Sequence, residues 1–221
     1  MATRLIFMGP PGSGKGTQAQ RLAQSHGLVQ LSSGHVLRTE IREGSEIGRK
    51  ASQYVESGGL VPDDVITGVM LAAIGRLGPA ASFILDGFPR TVPQAEALEA
   101  GLAERGQPID AVLDFQMPDD VIVARIAGRR VCTQCGATYN VDFIPTKVAG
   151  VCDACGAAVV QRKDDQPDVV RHRLETYRAQ TEPLVAFYAQ RGLLQRVDAS
   201  VAADAVEAAV VRCVESLDRR P

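Results

Sequence analysis

The stretch Gly9-Pro10-Pro11-Gly12-Ser13-Gly14-Lys15-Gly16-Thr17 constrains this chain more than any other. The run Leu5-Ile6-Phe7-Met8 before it reads as a buried strand, and Gln18 to Gln24 after it reads as a helix. A glycine-rich turn therefore joins a strand to a helix. Glycines let successive backbone N–H groups curl around one anion, and the helix start adds free N–H groups with partial positive charge. Lys15 supplies a mobile charge for outer phosphates, and Thr17 a hydroxyl near where magnesium would sit. The general phosphate-loop pattern places Ser or Thr directly after the Lys. Here Gly16 intervenes, which points to a narrower form of the loop.

Short apolar runs recur along the chain. Leu28–Leu31, Ser82–Leu85, Ala111–Phe115 and Leu193–Asp198 read as further buried strands, alternating with helical segments. Helices are expected from about His35, over Glu46–Glu56, from Pro62-Asp63-Asp64, over Pro93–Arg105 and from Pro118 to about Arg130. A long helix over Pro167–Arg191, with a break at Pro183, and a final helix over Ala202–Leu217 complete the set. This alternation predicts an α/β fold, a five-stranded doubly wound parallel sheet with helices on both faces. Ligands then sit at the carboxyl ends of the strands, where the glycine loop, Ser32-Ser33-Gly34, Asp86 and Asp198 fall.

The net charge is −2, so no global field recruits nucleic acid or membrane. Phosphate handling has to come from local clusters. No apolar run approaches the roughly 20 residues of a membrane span. Met1-Ala2-Thr3-Arg4 leads straight into the first strand, leaving no room for a signal peptide, so a reducing, cytoplasmic location is expected.

Cys132-x-x-Cys135 and Cys152-x-x-Cys155 have the paired-knuckle spacing of a zinc site. Four thiolates suit a closed, tetrahedral, structural zinc, although such a site can also take iron. Two disulfides or a redox pair are the rivals; a reducing compartment disfavours the first and the doubled motif the second. The segment from 131 to about 164 is rich in Val, Thr, Tyr and Gly and reads as a small β-rich, metal-pinned unit. Cys213 reads as a packed core thiol.

Asp86 ends a buried strand beside the loop and can hold magnesium through water. Arg125, Arg129, Arg162, Arg171 and Arg173 cluster at element ends flanking the cysteine segment, and Arg38 and Arg90 belong to the earlier helical insert and the Asp86 loop. Arginine forks suit phosphate oxygens, and phosphoryl transfer needs several of them. The bland alternative pairs them on solvated faces with Asp119, Asp164, Asp165 and Asp168.

Gly9 to Gln18, Asp86-Gly87-Phe88-Pro89-Arg90-Thr91 with Pro93-Gln94, Gly128-Arg129-Arg130, and Arg162-Lys163-Asp164-Asp165 together resemble adenylate kinase over nearly the whole chain. The cysteines resemble those of its long-lid, zinc-containing bacterial form. The resemblance implies ATP + AMP ⇌ 2 ADP with magnesium, in a monomer whose partners are nucleotides. It implies a phosphate-loop core over 1–31, 62–130 and 165–221, an AMP-binding insert over 32–61 and a zinc lid over 131–164. It further implies that Gly12, Ser13, Gly14, Lys15, Gly16 and Thr17 hold ATP phosphates. Arg125, Arg129, Thr138, Tyr139 and Val201 would meet the rest of ATP. Ser33, Arg38, Gly59, Leu60, Val61, Gly87, Phe88, Pro89, Arg90 and Gln94 would form the AMP site. Arg162 and Arg173 would bridge the transferring group, with Lys15, Arg90 and Arg129 sharing the catalytic charge work. Thr17 and Asp86 would support magnesium.

Three departures stand out. His35 replaces an Asp that caps a helix and supports hydrated magnesium, a task imidazole does poorly. Gly59 stands where many members carry a longer polar residue. Asp198-Ala199-Ser200 replaces the more usual Asp-Gly-Thr near the ATP base. A kinase for UMP, CMP or GMP is the rival enzyme, with Gln94 and the long lid favouring AMP. A zinc-ribbon nucleic-acid module would need a basic strip with stacking aromatics. The cysteine segment has Tyr139 and Phe143 but few positive charges. An inactive nucleotide-binding relative is suggested by His35 alone, against Lys15, Asp86 and the arginines.

Overall fold

The computed structural model describes residues 2–217. Its strands are β1 (Arg4–Met8), β2 (Val29–Ser32), β3 (Phe83–Asp86), β4 (Ala111–Gln116), β5 (Arg129–Cys132), β6 (Thr138–Asn140), β7 (Val159–Val160) and β8 (Leu194–Asp198). Its helices are α1 (Lys15–His26), α2 (Ser33–Glu43), α3 (Glu46–Ser57), α4 (Asp63–Leu77), α5 (Val92–Ala103), α6 (Asp119–Gly128), α7 (Pro167–Thr176), α8 (Pro183–Gln190) and α9 (Ala203–Leu217).

Five strands form one parallel sheet in the order β2-β3-β1-β4-β8. Alternation along β1 sends Ile6 and Met8 to one face, where α4, α5 and α8 supply Met70, Leu98 and Leu184. Leu5 and Phe7 go to the other face, with Leu22 of α1 and Val210 of α9. Helices cover both faces because each strand is apolar in both directions. The register places Asp86 beside both Phe7 and Ser32, so the phosphate loop, the start of α2 and the Asp86 turn leave the sheet at one edge.

Two expectations need correction. The second strand is not fully buried: Val29 is 42% exposed. It is an edge strand with β3 as its one neighbour in the sheet. The long helix is interrupted earlier than Pro183, by a π-helical segment over Tyr177–Thr181. Pro183 has no N–H for the carbonyl four residues back, and its ring crowds that carbonyl. The chain widens upstream instead, and Glu182 N–H reaches the Tyr177 carbonyl at 2.9 Å.

The cysteine segment forms a separate antiparallel sheet, β6-β5-β7. It meets α2 and α3 across the rim of the cleft through few contacts. Arg42 donates to the Thr133 carbonyl at 3.3 Å, and Lys163 lies 3.7 Å from Glu56. The His35 ring sits against Gly136.

Candidate active site

The glycine loop closes tightly over the end of β1. Gly12 has φ +81°, and a Cβ there would stand 2.7 Å from Ile126 of α6. Helix α1 begins with no side-chain cap, which leaves its N-terminus to an outside anion. Lys15 Nζ folds over the loop, donating to the carbonyls of Gly9 (2.7 Å) and Pro10 (2.8 Å) and to Ser13 Oγ (3.2 Å). Burial pushes its ammonium down to about 7, against the pull of Asp86 and with Arg90 adding to the fall.

The structure gives a reason for Gly16. A Cβ at that position would lie 3.3 Å from Asp86 Oδ2. The space that a serine would occupy in the general loop is taken by the carboxylate. Gln30 donates to the same oxygen at 3.2 Å and to the Gly16 carbonyl at 3.4 Å, fixing Asp86 against α1. Gln30 was not legible as a site residue, since one polar residue in a short strand carries no signal of its partner. Asp86 and Thr17 are oxygen donors of the kind magnesium takes, and both face the cleft.

A cavity of about 630 Å³ opens above the loop, within the size range of small-molecule sites. Gly12 through Thr17, Asp86, Arg125, Arg129, Thr138, Tyr139, Val201 and Arg162 line it, as does Pro89. A smaller cavity of about 60 Å³ lies beside it, lined by Ser33, Gly59, Leu60, Val61, Phe88 and Gln94. Arg38, Gly87, Arg90 and Arg173 line both. The two cavities therefore share a wall of guanidinium groups.

Two carboxylates order that wall. Arg129 makes a two-point pair with Asp165, its Nε donating at 2.8 Å. Arg173 donates to Asp164 at 2.9 Å and to Asp165 at 3.3 Å. The Asp165 side chain is fully buried. Burial works against the charge of Arg129, yet the Asp165 pair raises its pKa above the ordinary arginine value. Burial also opposes ionisation of Asp164, but Arg173 and Arg38 hold its carboxyl below the usual range. The remaining arginines are undercompensated. Burial lowers Arg90, with Arg173 adding to it. Arg162 is pushed down to about 9 by burial and by Arg38 and Arg129, and its buried Nε has no hydrogen-bond partner among the described residues. Such a cluster is built for an anion.

Arg171 does not join it. It points outward to Asp168 at 3.5 Å, with both side chains mostly exposed. Positions 171 and 173 are two apart on α7, nearly opposite on a helix, so only Arg173 faces inward.

In the smaller cavity, Gln94 is held at both ends of its amide. Nε2 donates to Asp63 at 2.7 Å, and Oε1 accepts from Arg90 N–H at 2.7 Å. Asp63 also accepts from Thr91 Oγ1. In the sequence Asp63 read only as a helix-start acid. Ser33 Oγ donates to the Gly87 carbonyl at 2.6 Å. In the larger cavity, Arg125 donates to the Ala199 carbonyl at 3.1 Å and lies 6.0 Å from the Phe143 ring centre. Phe143, Asn140, Ile144 and Tyr177 also line the larger cavity, although no motif marked them. The cap of α2 comes from Ser32, whose Oγ accepts from His35 N–H at 3.4 Å. His35 is exposed; partial desolvation of its ring first, then Arg38, Arg42 and Arg162, lower its pKa.

The ligating sulfurs of Cys132, Cys135, Cys152 and Cys155 all lie within 4.8 Å of one another. Cys132 and Cys155 are 3.4 Å apart, and Cys135 and Cys152 3.6 Å. Zinc–sulfur bonds of about 2.3 Å imply tetrahedral edges of roughly 3.8 Å, so the four fit one ion. Backbone N–H groups of Gln134 and Cys135 donate to Cys132 Sγ, as in a metal knuckle. Among the described residues, no helix is long and apolar enough to cross a membrane.

A family model described as adenylate kinase matches residues 7–193. The adenylate kinase of Moorella thermoacetica is 47% identical over 211 residues, covering 96% of this chain and 97% of that protein. The adenylate kinase of Carboxydothermus hydrogenoformans is 44% identical over 212 residues, covering 96% and 99%. That of Lachnospira eligens is 42% identical over 209 residues, covering 95% and 98%. Phosphate loop, shared arginine wall and near-full-length likeness agree, and the chain belongs to the adenylate kinase family.

Proposed function

We propose that this protein transfers a phosphoryl group reversibly from ATP to AMP, giving two ADP, with magnesium. The observation that carries the reading is the pair of cavities meeting at Arg38, Arg90 and Arg173. One is floored by a phosphate loop and the other by Ser33, Gly59 and Gln94. Two nucleotides bound end to end bring their phosphates together at that wall.

The catalytic work is positioning and charge neutralisation. Lys15 and the α1 N-terminus hold the donor phosphates. Arg129, Arg162 and Arg173 spread the charge of the transferring group, and Arg90 and Arg38 hold the acceptor phosphate. Gln94, fixed by Asp63, meets the acceptor base. Arg125, Thr138, Tyr139 and Val201 form the donor-base end. Thr17 and Asp86 would hold hydrated magnesium, which would supply positive charge to neutralise the phosphates. Residues 1–31, 62–130 and 165–221 form the core, 32–61 the AMP insert, and 131–164 a lid that zinc held by Cys132, Cys135, Cys152 and Cys155 would stiffen. The protein acts as a cytoplasmic monomer. ADP formation from ATP and AMP, with and without magnesium, tests this reading. A coupled assay across AMP, UMP, CMP and GMP tests the acceptor; higher activity with another monophosphate would overturn the AMP assignment.

The desolvated Lys15 ammonium gives a pH signature. Its value of about 7 rises when a phosphate chain binds, because nearby negative charge favours the ammonium form. The value in the complex thus exceeds that of the free protein. ATP affinity is full below about pH 7 and falls as pH climbs toward the raised value. Calorimetry at pH 8 in buffers of different ionisation enthalpy is expected to show proton uptake on ATP binding. No uptake would mean that Lys15 does not titrate with the ligand.

His35 is expected to weaken support of the magnesium water shell. In His35→Asp, the magnesium concentration for half-maximal rate falls several-fold, read from a magnesium titration at saturating nucleotides. An unchanged titration curve with unchanged turnover would refute the role.

A further inference from the structure

We propose that Tyr139 is a positioning residue that couples the four-thiolate metal centre to the donor-nucleotide pocket. Its ring lines the larger cavity, between Thr138 and Asn140 of the same strand. Its hydroxyl lies 3.3 Å from Cys152 Sγ in a buried contact. Asp153 N–H donates to that hydroxyl at 2.9 Å, which leaves the hydroxyl proton for the sulfur. A thiolate that holds a metal can only accept, so the direction of this hydrogen bond is fixed once the ion is bound. One side chain thus grips two successive residues of the second knuckle and forms part of the nucleotide wall.

The bland reading is a buried tyrosine satisfying its hydroxyl on the nearest polar atom. Two observations go further. The acceptor atom is a metal-ligating sulfur, and groups that hydrogen-bond to metal ligands tune both the affinity and the orientation of the site. The strand that carries Tyr139 is also tied to the donor end of the core. Asn140 Nδ2 donates to the Arg125 carbonyl at 2.9 Å, and Arg125 itself lines the cavity. β6 therefore spans from the metal centre to the donor pocket, with Tyr139 as its link to the metal. The smaller cavity has no residue of β6 in its wall. The coupling accordingly acts on ATP and not on AMP, and by linkage ATP acts back on the metal. The coupling rests on the reading of the larger cavity as the ATP site.

The test uses Tyr139→Phe, which keeps the ring and removes the hydroxyl, in the metal-loaded protein. In the absence of nucleotide, zinc transfer to a chromogenic chelator is expected to run about 10-fold faster than in the parent. The KM for ATP is expected to rise several-fold, and the KM for AMP to move less. In cobalt-substituted protein, added ATP shifts the thiolate-to-metal charge-transfer band of the parent, and Tyr139→Phe loses that shift. Asn140→Ala serves as the control for general loosening of β6 and is expected to leave zinc release near the parental rate. Unchanged release in Tyr139→Phe, equal acceleration in Asn140→Ala, or the same ATP-induced band shift with and without the hydroxyl would each overturn the proposal. A parent protein that fails to bind ATP would sink the ATP reading and the coupling with it, while nucleotide-free zinc release would still decide the hydrogen bond.

Discussion

Replacing Lys15 with methionine lowers kcat by about 10³-fold or more, the scale on which single preorganised charge donors act at a reacting centre. Methionine keeps an unbranched apolar stem, one atom shorter, and removes the charge and all its donors. The carbonyls of Gly9 and Pro10 and the Ser13 hydroxyl lose the group that now spans them. The fold is expected to survive. The lysine is partly shielded from solvent at the floor of the cavity, and desolvation penalises its charged form strongly enough to bring its pKa to about 7. Removing a desolvated charge relieves that penalty, so the thermal midpoint of Lys15→Met stays level or rises while turnover collapses. Stability held at the expense of activity is the pattern of a functional strain. A coupled ADP assay beside thermal unfolding separates the two effects. Substantial retained turnover would demand a mechanism in which the glycine loop does not hold the reacting phosphates.

Asp165→Asn gives the opposite profile, with stability and activity falling together. The carboxylate is fully buried and holds Arg129 through two bonds and Arg173 through a third. An amide keeps the shape but cannot neutralise either guanidinium and turns one donor toward them. Removing one partner of a buried pair costs about 3–5 kcal/mol. For a chain of this size that is a drop of about 10 °C in the unfolding midpoint. The two arginines also lose their common anchor, and misplacement by about 1 Å near the reacting atoms costs on the order of 10²-fold in rate. Steady-state kinetics and calorimetric unfolding check both numbers. A variant with parental kcat would show that these arginines are oriented by something other than Asp165.

The fold was readable because its signals are local. Apolar strands between capped helices, with a glycine turn after the first, leave few arrangements open. The thiol site was readable for the same reason, since two short spacings define it. What escaped depends on which faces meet after folding. Asp164 and Asp165 look like any solvated acidic pair, yet they order the arginine wall from inside. Arg171 has the same local context as Arg173 and points away from it. Gln30 matters only because β2 lies against β3, which no pattern within four residues can reveal. Pro183 announced a break, but the helix absorbs it upstream as a widened turn. That Tyr139 belongs at the larger cavity follows from a motif; its contact with Cys152 needed the folded cysteine segment.

The sparse contacts across the rim carry a last consequence. Arg42 on Thr133 and Lys163 near Glu56 are exposed, and pairs of that kind contribute little. Beneath them, Lys15, Arg38, Arg90, Arg129, Arg162 and Arg173 crowd one hollow, with Asp86, Asp164 and Asp165 as counterweight. The rim is thus clasped weakly, while like charges repel one another within the hollow. Polyanions in the hollow are expected to quench that repulsion and added salt to screen it, so the firmness of the rim should vary with ionic strength far from any reacting atom.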